Sequence, residues 1–362
     1  MNNVEKKIKV LFLSNKIMHY RVPIFNLIAK KCDLTVAYSE WDIPQDMEIL
    51  FKVIKLPIYT IKKRWVIQKN NIYKLANKYD VVLTISNITW LKYTLLPFIP
   101  FRKFKVIPWG IGVSASYDKH YDEDRRLDWF RVLLYKASDA FIFYNEYPIK
   151  RFSKLGVDEK KLFSANNTVY VIPWDGIYRE KDSLLFVGDI MQYKGLGILL
   201  EAYKKLIDEG IKLPPLNIIG DGDEFDKTQN WITNNALENR IFMRGAIYDP
   251  YIKAEYFRRA YALFSPKQAG LTVQEGMGYG VPMITDENAY TGGERLDIQD
   301  GITGIFTKNG YTVYDVLKEF SQNPQKFIDM GKNAEEFYKK CRKASDMANN
   351  VWRAIEYVMN KS

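Results

Sequence analysis

A chain of 362 residues suits two domains of about 150–200 residues each, and with 47% apolar and 27% charged residues it can bury large cores and does not have the composition of a disordered chain. Two cysteines, Cys32 and Cys341, exclude a disulfide framework or a cysteine zinc cluster and point to a reducing compartment, and two histidines, His19 and His120, exclude a centre built on several imidazoles. The net charge of +10 is uneven: residues 1–172 hold 29 Lys/Arg against 16 Asp/Glu and residues 173–362 hold 24 against 27, which directs the first half at a phosphorylated acceptor, an anionic membrane face or nucleic acid.

Short apolar runs at residues 9–14, 34–38, 81–85, 105–109 and 140–144 predict buried strands, and spacings such as Ile24, Leu27 and Ile28 predict helices between them. The first run is too short for a signal peptide or a membrane span, and the stretch 90–101 is broken by Lys92, Pro97 and Pro100, so a cytoplasmic protein, soluble or peripheral at the membrane, is expected. The basic, aromatic stretch 90–105 and the run Lys62, Lys63, Arg64, Trp65 read either as solvated surface or as a membrane or acceptor contact. Residues 172–182 carry Pro, Gly and a charge cluster and read as a linker. Beyond it strands are expected at 183–187, 216–219, 241–244, 262–265, 282–285 and 304–306. A last helix at 346–359 places Met347, Val351, Ile355 and Val358 on one face. The fold class is α/β: two doubly wound domains, 1–172 and 183–345.

Candidate chemistry gathers at strand ends of the second half. Strand 183–187 runs into Gly188, Asp189, Lys194, Gly195 and Gly197 before a helix, a loop whose free amides and lysine suit an anion. The next strand ends in Gly220, Asp221 and Gly222, where glycine admits a close approach and the acidic residues also suit a helix cap. After strand 262–265 comes a turn at Pro266 to Gly270 and a helix from about Leu271 to Gly280. The amides of Gly270, Leu271 and Thr272 form an anion site, and Glu275 stands one turn in, within reach of sugar hydroxyls.

Together these segments resemble the donor domain of retaining GT-B glycosyltransferases, the large family 4 or "group 1" set. Residues 184–195 are similar to its FVGR…KG segment, 216–224 to IIGDGP, 241–245 to V.F.G, 260–284 to AD…PS…GL…EAM..G.PVI and 301–304 to DG.TG. In the first half, residues 11–25, 137–144 and 160–168 are similar to the family less sharply. The resemblance implies two Rossmann-like domains facing across a cleft, with the final helix packing back on the first domain. It implies transfer of a sugar from a UDP- or GDP-linked donor, with retention, to a glycan or lipid-linked acceptor. No metal, no other cofactor and no nucleic acid are implied. Gly188, Lys194, Gly195, Gly220, Asp221, Gly222, Arg244, Lys267, Gly270, Leu271, Thr272 and Glu275 would hold the donor; Lys194, Glu275 and His19 would act in catalysis; Arg21 and His120 would lie on the acceptor side.

Two positions depart from the family pattern. Counting back eight residues from Glu275 puts Lys267 where a first Glu is usual, and Asp189 stands where an Arg usually follows the Val-Gly pair. A GT-B relative that epimerises or hydrolyses a nucleotide-sugar, or a catalytically altered scaffold, is therefore the alternative. A nucleic-acid binder is the contrasting class, without a recognised module.

Overall fold

Apolar runs become strands where both of their faces can be covered. In this computed structural model, which describes residues 7–42, 47–62, 64–115 and 120–361, the chain forms two units. One comprises Met1–Ser114, Asp122–Tyr170 and Ala344–Ser362, the other Ala115–Tyr121 and Val171–Lys343. Lys63, part of the basic run singled out above, lies outside the described residues.

In chain order the first unit contains β1 (Lys9–Leu13), β2 (Lys16–Met18), α1 (Val22–Ala29), β3 (Asp33–Tyr38), β4 (Glu40–Asp42), β5 (Lys52–Lys55), a hairpin of β6 (Ile58–Ile61) and β7 (Trp65–Gln68), and α2 (Ile72–Ala76). It continues with β8 (Val81–Ile85), α3 (Leu91–Leu95), β9 (Lys105–Gly110), α4 (Asp128–Ala137), β10 (Phe141–Phe143), α5 (Tyr147–Lys154) and β11 (Leu162–Ser164). Among the described residues, seven strands form one parallel sheet in the order β11-β10-β9-β8-β1-β3-β5. Strand order reverses at β1, so the loops after β1 and β8 diverge to opposite faces and leave a crevice at the carboxyl edge.

The second unit holds β12 (Ser183–Val187), α6 (Leu196–Asp208), β13 (Leu216–Ile219), α7 (Phe225–Asn234), β14 (Ile241–Met243), α8 (Pro250–Arg259) and β15 (Ala260–Phe264). After these come α9 (Thr272–Gly278), β16 (Met283–Asp286), β17 (Gly304–Thr307), α10 (Val313–Gln322) and α11 (Pro324–Cys341). Its parallel sheet runs β14-β13-β12-β15-β16-β17. Leu184, Phe186, Leu216 and Ile218 pack with Leu199 and Tyr203 of α6, Ile232 of α7 and Leu317 of α10. Leu185, Ile219 and Leu263 pack with Phe257 of α8, Met277 of α9 and Tyr338 of α11. Helices on both faces are why these strands read as unbroken apolar runs.

The last helix, α12 (Ala344–Asn360), belongs to the first unit. Met347, Val351, Ile355 and Val358 are buried in one cluster with Val10, Ile24, Ile28 and Ile142. The chain passes between units at Tyr170/Val171, just ahead of the Pro- and charge-rich segment, and returns at Ala344.

Candidate functional site

In the second unit the strand order reverses between β12 and β15, the position at which open α/β sheets present ligand crevices. The loops after β12, β13, β15 and β16 are stitched together there by backbone hydrogen bonds. Gly188 N donates to Ile219 O at 3.0 Å and Ile190 N to Asp221 O at 2.8 Å. Lys267 N donates to Lys194 O at 3.3 Å, Tyr290 N to Lys267 O at 2.9 Å and Asp286 N to Pro266 O at 3.0 Å. Gly220 and Gly222 both have φ +150°, and a Cβ would stand 1.9 Å from the Gly188 carbonyl oxygen at the first and 2.7 Å from the Ile190 carbonyl oxygen at the second. Only glycine lets these two loops touch main chain to main chain. The side chain of Asp221 turns back to accept from Gly222 N at 2.7 Å within its own turn, and α7 starts at Phe225 without a side-chain cap, so the acidic segment does not cap that helix.

Lys194 ends a short 3-10 turn, and its ammonium lies beside Gly188, 3.7 Å from where a Cβ would be. Burial holds its pKa below the ordinary lysine value, with the Asp189 charge opposing the shift. Asp189 is exposed, and among the described residues no carboxylate forms an ion pair with Lys194. A half-buried cation at the crevice, with only the exposed Asp189 charge acting on it and no ion pair among the described residues, suits an anionic ligand. Lys267 is exposed, and its aliphatic stem packs over Gly195, where a Cβ would be 2.9 Å from its Cγ.

Gly270 and Leu271 lead into α9, whose first residue is Thr272. Val273 N donates back to Gly270 O at 2.9 Å, while no hydrogen bond among the described residues takes up the amides of Gly270, Leu271 and Thr272. Glu275, 9% exposed, forms a 2.6 Å ion pair with Lys253 of α8. Gln274 behind it is fully buried and donates to Asp297, which Arg342 grips through both carboxylate oxygens at 2.6 and 2.7 Å. These buried contacts fix the helix that carries Glu275.

Arg244 is not brought to this crevice by its side chain. Its Nε donates to Asn217 at 2.9 Å, and the guanidinium lies 4.6 Å from the Phe242 ring and 5.7 Å from that of Tyr256, against α8. The alternation of β13 explains this, since Asn217 points to the α8 face together with Ile219. Two basic residues escaped the sequence reading. Lys253 has no motif around it and becomes informative only as the partner of Glu275. Arg295 follows the β16 loop: burial lowers its pKa against the opposing charges of Asp286 and Glu287, and its Nε is buried without a hydrogen-bond partner.

In the first unit, His19 opens a 3-10 turn after β2, half-buried, with its ring edge-on to Tyr20 at 5.5 Å. It lies in the connection that leaves β1 at the carboxyl edge of the sheet, after β2. The Arg21 guanidinium lies 5.3 Å from the Tyr144 ring and 6.0 Å from that of Trp109, donates to Asn167 and touches Met347 Sδ at 3.2 Å. These contacts give Arg21 a structural role tying α12 to the strand ends of its own unit. His120, in the segment Ala115–Tyr121 that groups with the second unit, is exposed and borders residues 116–119, which lie outside the described set.

Residues 175–337 match the family model described as "Glycosyl transferases group 1". The poly(glycerol-phosphate) alpha-glucosyltransferase of Bacillus subtilis is 24% identical over 272 residues, covering 70% of this chain and 39% of that protein. The D-rhamnosyltransferase WbpZ of Pseudomonas aeruginosa is 30% identical over 162 residues, covering 43% of this chain and 40% of its own length. The matched region thus spans about two fifths of each of these relatives. Among solved structures, HepE of Anabaena in complex with UDP aligns with a TM-score of 0.69 over 96% of this chain and 100% of that one, at 14% identity. A glycosyltransferase from Rickettsia africae gives 0.70 over 98% and 100%, at 13% identity. The fold is that of GT-B structures such as HepE, with α/β architecture and parallel sheets in two domains, and residues 175–337 carry the match to glycosyl transferases group 1.

Proposed function

We propose that the protein is a retaining glycosyltransferase that moves a sugar, a hexose or a relative of one, from a nucleoside-diphosphate donor to an acceptor hydroxyl in the synthesis of a surface glycan. The observation that carries this is the half-buried Lys194 ammonium, without an ion pair among the described residues, at the switch point of the unit that matches glycosyl transferases group 1. The bond from the anomeric carbon to the diphosphate oxygen breaks, a bond to the acceptor oxygen forms and the acceptor hydroxyl proton passes to the departing diphosphate, on which negative charge grows as the bond breaks. Lys194 and the amides of Gly270 to Thr272 meet that charge, which is the largest contribution a protein makes to such a step. Glu275, held by Lys253, accepts from the ribose hydroxyls, and the glycines at 188, 195, 220 and 222 let the ligand approach the main chain. Lys267 borders the donor sugar. The first unit takes the acceptor, a glycan or a lipid-linked one, and His19 is its candidate catalytic residue.

Two relatives support the reading by name, as a glucosyltransferase and a rhamnosyltransferase, and HepE binds UDP. The reaction needs no metal in this reading, because the cations that face the diphosphate belong to the chain. The experiment is a thermal-shift panel of UDP, GDP, dTDP, ADP and CMP, followed by turnover of the matching nucleotide-sugar in EDTA, with the anomeric configuration of the product read by NMR. A nucleotide that raises the melting temperature, turnover unaffected by EDTA and a retained anomer are expected. Nucleotide binding without turnover on any acceptor assigns the chain to the altered-scaffold class, and no shift with any nucleotide overturns the reading.

A further inference from the structure

A second surface, on the first unit, is independent of the donor crevice. After α3 the chain exposes Leu95 (54%), Phe98 (41%) and Phe101 (100%), and α4 beside it exposes Trp129 (64%) and Leu133 (48%). Three of the rings in this region are in contact, with Phe98 stacked on Phe130 at 6.4 Å and Trp129 edge-on to Phe130 at 5.8 Å, and Arg102, next to Phe101, donates to the Ala137 carbonyl at the end of α4. Trp129, Leu133 and Lys136 follow one another along one face of α4. Phe101 is anomalous twice over. Its ring is fully in water, and its backbone is left-handed at φ +53°, a conformation bulky residues rarely adopt. Single exposed apolar residues need no explanation; a cluster of contacting rings with a strained, wholly exposed phenylalanine close by in the chain does.

Basic residues border this patch. A cavity of about 630 Å³ at the amino edge of β9 to β11 is lined by Arg102, Lys105, Lys136, Lys161 and Lys361. Of its two carboxylates, Asp139 is engaged by Arg102 and by the Val106 amide, and Asp158 caps the Lys160 amide. Lys161 donates to the Lys136 carbonyl at 2.8 Å, so it and Arg102 are partly engaged by the α4 terminus, while Lys105, Lys136 and Lys361 leave an excess of positive charge. Burial pushes the Lys161 pKa down against the opposing charges of Asp139 and Asp158. The sequence contains no Asp or Glu between Asp80 and Asp118.

We propose that this face is a docking site for an anionic phospholipid bilayer, with Phe98, Phe101, Trp129 and Leu133 entering the headgroup–acyl boundary and the basic cavity receiving a lipid phosphate. Aromatic residues at the interface beside cations of one sign fit that partner, in which apolar and anionic layers lie next to each other. The surface would hold the enzyme where lipid-linked acceptors are, yet it stands on observations separate from the donor crevice.

The test is co-sedimentation of the full chain with vesicles of phosphatidylcholine, with and without a third of phosphatidylglycerol, at low and at about half-molar salt. The wild type should bind only the anionic vesicles. Phe101→Ser combined with Trp129→Ser should weaken binding by about tenfold or more at both salt concentrations, and Lys136→Gln combined with Lys361→Gln should weaken it mainly at low salt. Melting temperature and nucleotide shift should be unchanged in both variants, which separates this surface from the donor site. Acyl-brominated lipid should quench fluorescence that Trp129→Phe removes. Absence of binding to anionic vesicles, or binding indifferent to the aromatic pair, overturns the proposal. So does a fall in self-association in the aromatic variant with vesicle binding intact, which would make the patch a contact between copies of the chain.

Discussion

Lys194, Glu275 and Lys181 show how differently a charge is kept in the second unit. Lys194 is half-buried with no ion pair among the described residues, whereas Glu275 is nine-tenths buried and paired. Lys194→Ala and Glu275→Ala should each lower turnover about a hundredfold, the equivalent of roughly 2–4 kcal/mol of lost charged contact, with the fold retained. Steady-state assays with circular dichroism as the fold control check this, and near-normal rates in both would remove their assigned roles. Lys181 stands outside the donor crevice, and burial pushes its pKa down to about 8, with Glu335 as the weak opposing charge. Between that value and the ordinary lysine range the unfolded chain holds a proton that the folded chain has lost, so this residue makes stability rise with pH across that window and costs stability below it. Lys181→Met should therefore stabilise at neutral pH by about 1–3 kcal/mol and flatten the alkaline rise in urea-denaturation free energy. At this scale the sequence showed Glu275 and Lys194, because each sits in a motif, and hid Lys253, which meets Glu275 across two helices. Arg244 stands in a motif yet faces Asn217, since motif spacing does not say to which side of a strand a side chain turns.

Among the elements, the glycine contacts between loops are the least forgiving. Gly220→Ala puts a methyl group 1.9 Å from the Gly188 carbonyl oxygen at a φ that alanine rarely adopts. It should cost about 2–4 kcal/mol and abolish the nucleotide-induced shift. Equilibrium unfolding and the thermal-shift assay read both effects, and a stable variant that still binds nucleotide would mean the loops are free to separate. The same elements show what patterning reveals. β8, β12 and β13 coincide with the expected spans, because each is an apolar run covered on both faces. β5 and β6 went unexpected because they are largely exposed, and β7, half-buried, because its apolar run Trp65–Ile67 is too short to stand out. β15 begins two residues earlier than expected, at Ala260, and the helix after it is shorter, Thr272–Gly278.

At the scale of the whole molecule, two units with separate cores share one chain unequally. Calorimetry should resolve two transitions, of which a bound nucleoside diphosphate raises only that of the second unit. Val351→Asp would bury a carboxylate in the core of the first unit, where Val351 is 0% exposed, and should abolish that unit's transition while the nucleotide-sensitive one persists. Loss of both transitions would show that neither unit stands without the other. Composition and strand alternation made the two doubly wound domains legible, and the spacing of Met347, Val351, Ile355 and Val358 showed a helix with one buried face. Where that face goes is a property of the tertiary fold, which periodicity does not encode. Its destination also sets an order on synthesis. Residues 171–343, the bulk of the second unit, leave the ribosome before α12 does, so that unit can close its core while the first, though translated earlier, still exposes Val10, Ile24 and Ile28 for want of its last helix. The half made first is the half finished last, and during that interval its uncovered apolar face is the part of the nascent chain most in need of a chaperone.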